Sequence, residues 1–121
     1  MAMRRDPGAV ERRILEMTSS RPAEHATVLD GWVAIRRTRP VTRGNAVRQL
    51  WAAARFRAPA WPAVVNTLVL CSDGDRLVDP ACSRRLAARW SCRLAVHPHA
   101  GHDLPLDDGA WVMRQIVQAF G

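Results

Sequence analysis

The sequence predicts an α/β fold in which three helices precede a strand, a helix, a second parallel strand and a last helix. Two short apolar runs, Thr67–Cys71 and Arg93–His97, are each followed at once by a polar loop. Such runs, bounded by turn residues, are typical of strands buried in a parallel sheet. Between them, Asp79 and Pro80 indicate a helix start, because the carboxylate accepts from free backbone N–H groups and proline tolerates the first helical position. We therefore predict one strand–helix–strand unit here.

Helical periodicity accounts for most of the remaining chain. We predict leading helices over residues 7–18, about 23–37 and about 42–57, with apolar faces formed by Val10, Ile14 and Met17, by Val28, Leu29, Trp32, Val33 and Ile35, and by Val47, Leu50, Trp51 and Ala54. Gly31 lies inside the second helix, where glycine costs about 1 kcal/mol relative to alanine, which suggests a close packing contact. The last helix is predicted to begin near Asp108, whose carboxylate suits the positive end of a helix dipole.

Both predicted strands end in loops that carry groups able to bind or transfer protons. Asp73 and Asp75 follow the first strand, whereas His97, His99 and His102 end or follow the second. Open α/β sheets bind ligands at the carboxyl ends of their strands. The sequence therefore predicts a functional site at this edge of the sheet.

Two segments, LCSDGDRLVDP at 70–80 and AGHDLPLDD at 100–108, resemble the last part of an α/β-hydrolase-fold enzyme. In that family the acid of a catalytic triad follows one strand and the histidine follows the next. The resemblance implies that Asp75 is the acid and His102 the histidine, with Asp73 as the rival acid and Asp79 better explained as a helix cap. It further implies a serine-hydrolase or esterase-type enzyme, a small-molecule ester-like substrate and no cofactor.

The nucleophile of that family is missing from the sequence. It stands in a Gly-x-Ser-x-Gly elbow, and glycines bracket none of the five serines in this way: Ser19, Ser20, Ser72, Ser83 and Ser91. The resemblance, strong over residues 64–120, therefore implies a C-terminal fragment of the fold. Residues 1–60 would be a helical lid- or cap-like segment and residues 61–121 a core portion. We expect the chain alone to be inactive, because its acid and base have no nucleophile to activate.

The charge is strongly basic but concentrated in the first half. Residues 1–60 carry 12 arginines against 5 acidic residues, which accounts for the net charge of +7. The arginines are spread over three predicted helices without forming one stripe, which favours a solvated surface over a nucleic-acid groove. No run approaches the roughly 20 apolar residues of a membrane span. The sequence thus predicts neither a nucleic-acid partner nor a membrane partner.

The cysteines favour a reducing compartment. Cys71, Cys82 and Cys92 are odd in number, and each lies in or beside a predicted core element. Buried free thiols are typical of cytosolic proteins. The N-terminal residues have no apolar stretch of the signal-peptide type, so we expect a cytoplasmic location.

Two other interpretations remain open. His97, His99 and His102 resemble the His-x-His-x-Asp-His signature of metallo-β-lactamases, except that Gly101 stands where that signature has its aspartate. Clustered histidines bind zinc. The chain is alternatively a non-catalytic interaction module, because a pair of parallel strands leaves an apolar edge open to self-association or to a partner chain.

Overall fold

The computed structural model describes residues 6–62 and 66–121. The predicted segments 1–60 and 61–121 also include residues 1–5 and 63–65, which lie outside the described part. Within the described residues, five helices and two strands follow the predicted order: α1 Pro7–Thr18, α2 Val28–Thr38, α3 Arg43–Arg55, β1 Leu68–Ser72, α4 Pro80–Trp90, β2 Arg93–His97 and α5 Leu104–Phe120. The predicted α/β class and order of elements are confirmed.

The two strands form a parallel sheet that places both of their carboxyl ends at one edge. The register runs from Leu68 opposite Arg93 to Ser72 opposite His97. Helix α4 connects the strands and packs on both, and α5 packs on β1. The small core is formed by the buried side chains of Leu15, Cys71, Ala87, Ala100 and Leu104.

Helix α4 begins as predicted from Asp79 and Pro80. Asp79 Oδ1 accepts a hydrogen bond of 2.8 Å from the Ala81 amide, and Pro80 is the first helical residue. The helix ends at Ser91, whose left-handed φ of 49° stops the helical ladder. The chain then turns directly into β2.

Helix α1 buries a different face from the predicted one. Leu15 is 2 % exposed and Glu11 is buried, whereas Ile14 and Met17 are exposed. The carboxylate of Glu11 pairs with the guanidinium of Arg36 on α2, which explains how a charged residue is accommodated there. The buried face of α1 therefore lies one residue away from the face that the apolar spacing predicts. The Glu11–Arg36 ion pair occupies part of the α1–α2 contact.

Helix α2 is shorter than predicted. Residues 22–27 form turns held by bonds such as that from the His25 amide to the Pro22 carbonyl, 3.3 Å. The predicted close contact at Gly31 is also wrong, because a Cβ atom added there would meet nothing within 4 Å. Pro22 and the turns after it delay the helix until Val28.

Helix α3 does not bury the predicted apolar side. Trp51 is 61 % and Leu50 is 72 % exposed, and across residues 6–62 and 66–121 the helix makes no extensive contact with another element. The guanidinium of Arg55 lies 4.4 Å from the centre of the Trp51 ring. The amphipathic pattern is real, but the described chain offers nothing to cover it.

Helix α5 begins four residues before the predicted start. Its first turn starts at Leu104, capped by Asp103, and a kink with φ −151° and ψ 72° follows at Asp108. Asp108 Oδ1 accepts from the Trp111 amide at 2.8 Å, so the predicted cap serves the longer part of the helix. Exposed apolar side chains follow on this part: Met113, Ile116, Val117 and Phe120.

The three cysteines are free, but only Cys71 is buried. The expectation of buried thiols is therefore wrong for Cys82, whose side chain is exposed, and the buried residue of α4 is Ala87. In the part of the chain described here, no helix combines the length and the apolar character that crossing a membrane requires.

Candidate active site

The turn after β1 and the loop after β2 are joined through buried polar contacts. The Asp73 amide donates to the His97 carbonyl at 2.9 Å. Ser72, a buried residue at the end of β1, places its Oγ 2.5 Å from the Ala100 carbonyl oxygen, and the same Oγ accepts from the Gly74 amide at 3.1 Å. These bonds fix the two segments against each other at the carboxyl edge of the sheet.

Two glycines allow the backbones in this region to approach closely. A Cβ atom at Gly74 would lie 2.5 Å from the Ala100 carbonyl oxygen, and one at Gly101 would lie 2.5 Å from the Thr18 carbonyl oxygen. Real Cβ atoms essentially never come this near to another atom. No glycine in the described part of the chain has a positive φ, so space, and not backbone conformation, requires glycine at both positions.

The structure brings Asp75 and His102 together. His102 Nδ1 lies 2.9 Å from Asp75 Oδ2. The other oxygen of Asp75 accepts from the amides of Leu77 at 2.8 Å and Val78 at 2.9 Å. The Asp75 side chain is 14 % exposed, whereas that of His102 is 41 % exposed. The carboxylate is thus fixed by the turn, and the imidazole extends from it toward solvent.

The charge of Asp75 determines how the histidine is protonated. Burial by itself would raise the pKa of Asp75, but hydrogen bonds from the Val78 amide, the His102 ring and the Leu77 amide outweigh it and hold the pKa below its ordinary value. An ionised carboxylate can only accept hydrogen bonds. The proton of a neutral His102 ring therefore resides on Nδ1, which leaves the Nε2 lone pair available as a base.

The two rival acids have other partners. Asp73 pairs with Arg84 at 2.5 Å, and Asp79 caps α4. Of the three carboxylates that follow β1, Asp75 is thus the one that contacts His102. The structure thus brings together the two residues that the resemblance named, Asp75 and His102.

The structure does not assemble the three histidines into a metal site. His97 Nδ1 accepts from the amides of His99 at 3.1 Å and Ala100 at 2.8 Å. Its Nε2 lies 3.4 Å from Asp108 Oδ2, and its ring meets that of Trp111 edge to face at 5.0 Å. Among residues 6–62 and 66–121, no group of three or more potential ligands is placed to hold a metal ion. His97 instead orders the loop that carries His102.

Among the described residues, no serine hydroxyl is hydrogen-bonded to the His102 ring. For example, the hydroxyls of Ser19 and Ser20 bond to Asp107, and that of Ser72 bonds to the Ala100 carbonyl. Burial raises the pKa of the Cys71 thiol, which keeps it protonated and a poor nucleophile.

Sequence reasoning missed Asp107, whose side chain is fully buried in this region. Its Oδ2 accepts from the Ser20 amide at 2.8 Å and the Gly101 amide at 2.6 Å, and its Oδ1 accepts from the Ser19 hydroxyl. His25 Nε2 lies 3.4 Å from Oδ1, but it is not aligned for a hydrogen bond and has no such partner in the described part of the chain.

The stability of the fold is expected to depend on Asp107 at acidic pH. Burial acts to raise the pKa of Asp107, but hydrogen bonds from the Ser19 hydroxyl and the amides of Ser20 and Gly101 outweigh it and lower the pKa to about 2 from an ordinary value of 3.8. Because the folded-state pKa is depressed, the stabilisation is present above about pH 4 and is lost as the pH falls toward 2.

The expected loss between pH 5 and pH 2 is roughly 2 kcal/mol of unfolding free energy. Urea unfolding at a series of pH values measures it, with Asp107→Asn as the control that lacks this contribution. Parallel pH profiles for the two proteins would contradict the assignment.

Comparison with known proteins adds one finding to this geometry. No curated protein and no solved structure matches the chain. A family model described as the alpha/beta hydrolase family matches residues 2–115, which is nearly the whole sequence. With the parallel strand pair in place, the conclusion is that the chain belongs to the alpha/beta hydrolase family.

Proposed function

We propose that His102 and Asp75 are the base and the acid of a serine-hydrolase site that cleaves small carboxylic esters. The observation that carries this proposal is the 2.9 Å hydrogen bond between His102 Nδ1 and Asp75 Oδ2, with the ring half-exposed at the carboxyl edge of the sheet. The fold alone does not determine the chemistry. The pair supports it, because this arrangement of acid and histidine is what ester cleavage by a serine requires.

In this mechanism, His102 Nε2 removes the proton from a serine hydroxyl as the oxygen attacks the ester carbonyl. The Asp75 carboxylate stabilises the resulting imidazolium and does not itself become protonated. The imidazolium then gives its proton to the leaving alkoxide. Water, activated in the same way by Nε2, cleaves the acyl–serine bond, and the serine recovers its proton.

The serine itself is proposed to come from outside residues 1–121, in a Gly-x-Ser-x-Gly elbow. Such an elbow is encoded either upstream of Met1 in the same frame or in a partner chain. The exposed apolar side chains of α3 and α5, among them Leu50, Trp51 and Val117, favour contact with further polypeptide. Exposed apolar surface of this kind is typical of interaction sites.

The chain alone is therefore expected to show no ester turnover that depends on His102. Hydrolysis of p-nitrophenyl acetate by the pure protein should equal that of His102→Ala. The DNA upstream of Met1, and any protein that copurifies with the chain, identify the source of an elbow. Turnover by the pure chain that disappears in His102→Ala would contradict the proposal, because the nucleophile would then lie within residues 1–121.

A non-catalytic interaction module is the second candidate, favoured by the uncovered apolar side of α3. One experimental outcome distinguishes the interaction module from the serine hydrolase. A stable complex with an elbow-bearing chain that turns over no ester, with or without His102, would support the module and exclude the catalytic role.

A further inference from the structure

Asp107 connects two segments that are far apart in the sequence. Its carboxylate receives hydrogen bonds from Ser19 and Ser20, just after α1, and from the amide of Gly101, directly before His102. Ser20 contributes both its amide and its hydroxyl, each at 2.8 Å from Oδ2. Arg21 also donates from its guanidinium to the carbonyl oxygen of Asp107. Asp107 thus lies at the centre of a polar cluster in which its own side chain, Ser19 and Gly101 are buried.

Both backbone neighbours of His102 form hydrogen bonds here, Gly101 to the cluster and Asp103 to the end of α1. The Gly101 amide bonds to Asp107 Oδ2 at 2.6 Å, and the Asp103 amide bonds to the Thr18 carbonyl at 2.9 Å. Because the residues on each side are fixed, the Cα of His102 has a defined position. Its ring reaches Asp75 from that position.

We infer that Asp107 is a positioning residue for His102: its buried carboxylate holds Gly101 against the end of α1 and so places Nδ1 of His102 at Asp75. This inference rests on the proposed function, in which His102 and Asp75 act as base and acid. Asp107 does not contact the ring of His102; it acts through the backbone amide of Gly101.

A carboxylate suits this role better than an amide would. Asp107 accepts hydrogen bonds at both oxygens, from three donors at Oδ2 and from the Ser19 hydroxyl at Oδ1. An asparagine has one carbonyl oxygen, and its NH₂ group can only donate. Asp107→Asn therefore keeps the size of the side chain but cannot satisfy both sets of donors.

The test is NMR on the ¹⁵N-labelled chain, comparing the wild type with Asp107→Asn and with Leu15→Ala. Leu15→Ala is the control for a general loss of stability, because it removes a buried apolar side chain from α1, the helix whose end the cluster contacts, and leaves the polar groups of the cluster in place. Two quantities are measured: the exchange rate of the Gly101 amide, and the signal of the proton on His102 Nδ1.

In Asp107→Asn, the Gly101 amide is expected to exchange roughly 10- to 100-fold faster, which corresponds to loss of a hydrogen bond to a charged acceptor. The His102 Nδ1 proton signal should be lost. In Leu15→Ala, the folded molecules should keep that signal. The inference is overturned if folded Asp107→Asn keeps it, or if Leu15→Ala loses it equally.

The wild type separates this inference from the proposed function. If its His102 carries no Nδ1 proton bonded to Asp75, the proposed pair is wrong and the inference fails with it. If the pair is present but survives Asp107→Asn, the positioning role alone is wrong. If Asp107→Asn is unfolded in buffer, the same measurement is made in trimethylamine N-oxide, which favours the compact state. In the wild type, a Gly101 amide that exchanges as fast as in an unstructured peptide would also overturn the inference.

Discussion

In the proposed complete enzyme, with its nucleophile supplied, replacing His102 by alanine is expected to lower kcat/KM for ester hydrolysis by roughly 10⁴- to 10⁶-fold. The loss is large because no other described group lies where Nε2 would take the proton of the serine. Asp75→Asn should lower the rate by about 10⁴-fold, since an amide no longer holds the ring with its proton on Nδ1. Steady-state kinetics with p-nitrophenyl esters measure both effects.

The neighbouring residues supply matched controls for these variants. His99 lies in the same loop and is exposed, and Asp73 lies in the same turn and pairs with Arg84. His99→Ala and Asp73→Asn are each expected to change kcat/KM by less than about threefold, because neither side chain contacts the His102–Asp75 pair. A larger loss in Asp73→Asn than in Asp75→Asn would assign the acid to Asp73 and contradict the site described here.

Gly101→Ala is expected to destabilise the fold by about 3 kcal/mol. The added Cβ would lie 2.5 Å from the Thr18 carbonyl oxygen and 2.8 Å from the Ser20 amide nitrogen. Both of these are backbone atoms, so relief requires the end of α1 to separate from the loop that carries His102. Urea unfolding of the variant and the wild type at pH 7 measures the difference.

Gly31→Ala is the matched control for this prediction. Gly31 lies inside α2, and an added Cβ there meets nothing within 4 Å. Alanine is the better helix former by about 1 kcal/mol, so this variant should be slightly more stable than the wild type. If Gly101→Ala were as stable as Gly31→Ala, the close approach of the two segments would be wrong.

Local patterns predicted the elements whose signals lie within a few residues. Both strands, the Asp79–Pro80 start of α4 and the edge that carries Asp75 and His102 follow from apolar runs, caps and turn residues. Each of these signals acts through backbone groups close in sequence. The strand–helix–strand unit could therefore be predicted from the sequence.

Asp107 could not be found in this way, because its partner Ser19 stands 88 positions earlier in the chain. In the sequence it is one of two adjacent aspartates near a helix start, where exposed carboxylates are common. The one available signal was its place shortly after the histidine in the segment AGHDLPLDD. Only the tertiary arrangement shows that Asp107 is buried.

Helix α3 shows the other limit of sequence patterns. Its apolar spacing predicted a buried side for Leu50 and Trp51, yet both are exposed. Periodicity shows that one face of a helix is apolar, but it does not show what covers that face. The same reasoning failed on α1, where the Glu11–Arg36 ion pair occupies part of the contact.

The protonation of the His102 ring tests the central claim most directly. The ¹⁵N shifts of its two ring nitrogens, recorded for the wild type and for Asp75→Asn, show which nitrogen carries the proton. We expect the proton on Nδ1 in the neutral wild-type ring, and loss of this preference in Asp75→Asn. A wild-type ring protonated on Nε2, or one unchanged by Asp75→Asn, would contradict the assignment of His102 and Asp75 as base and acid.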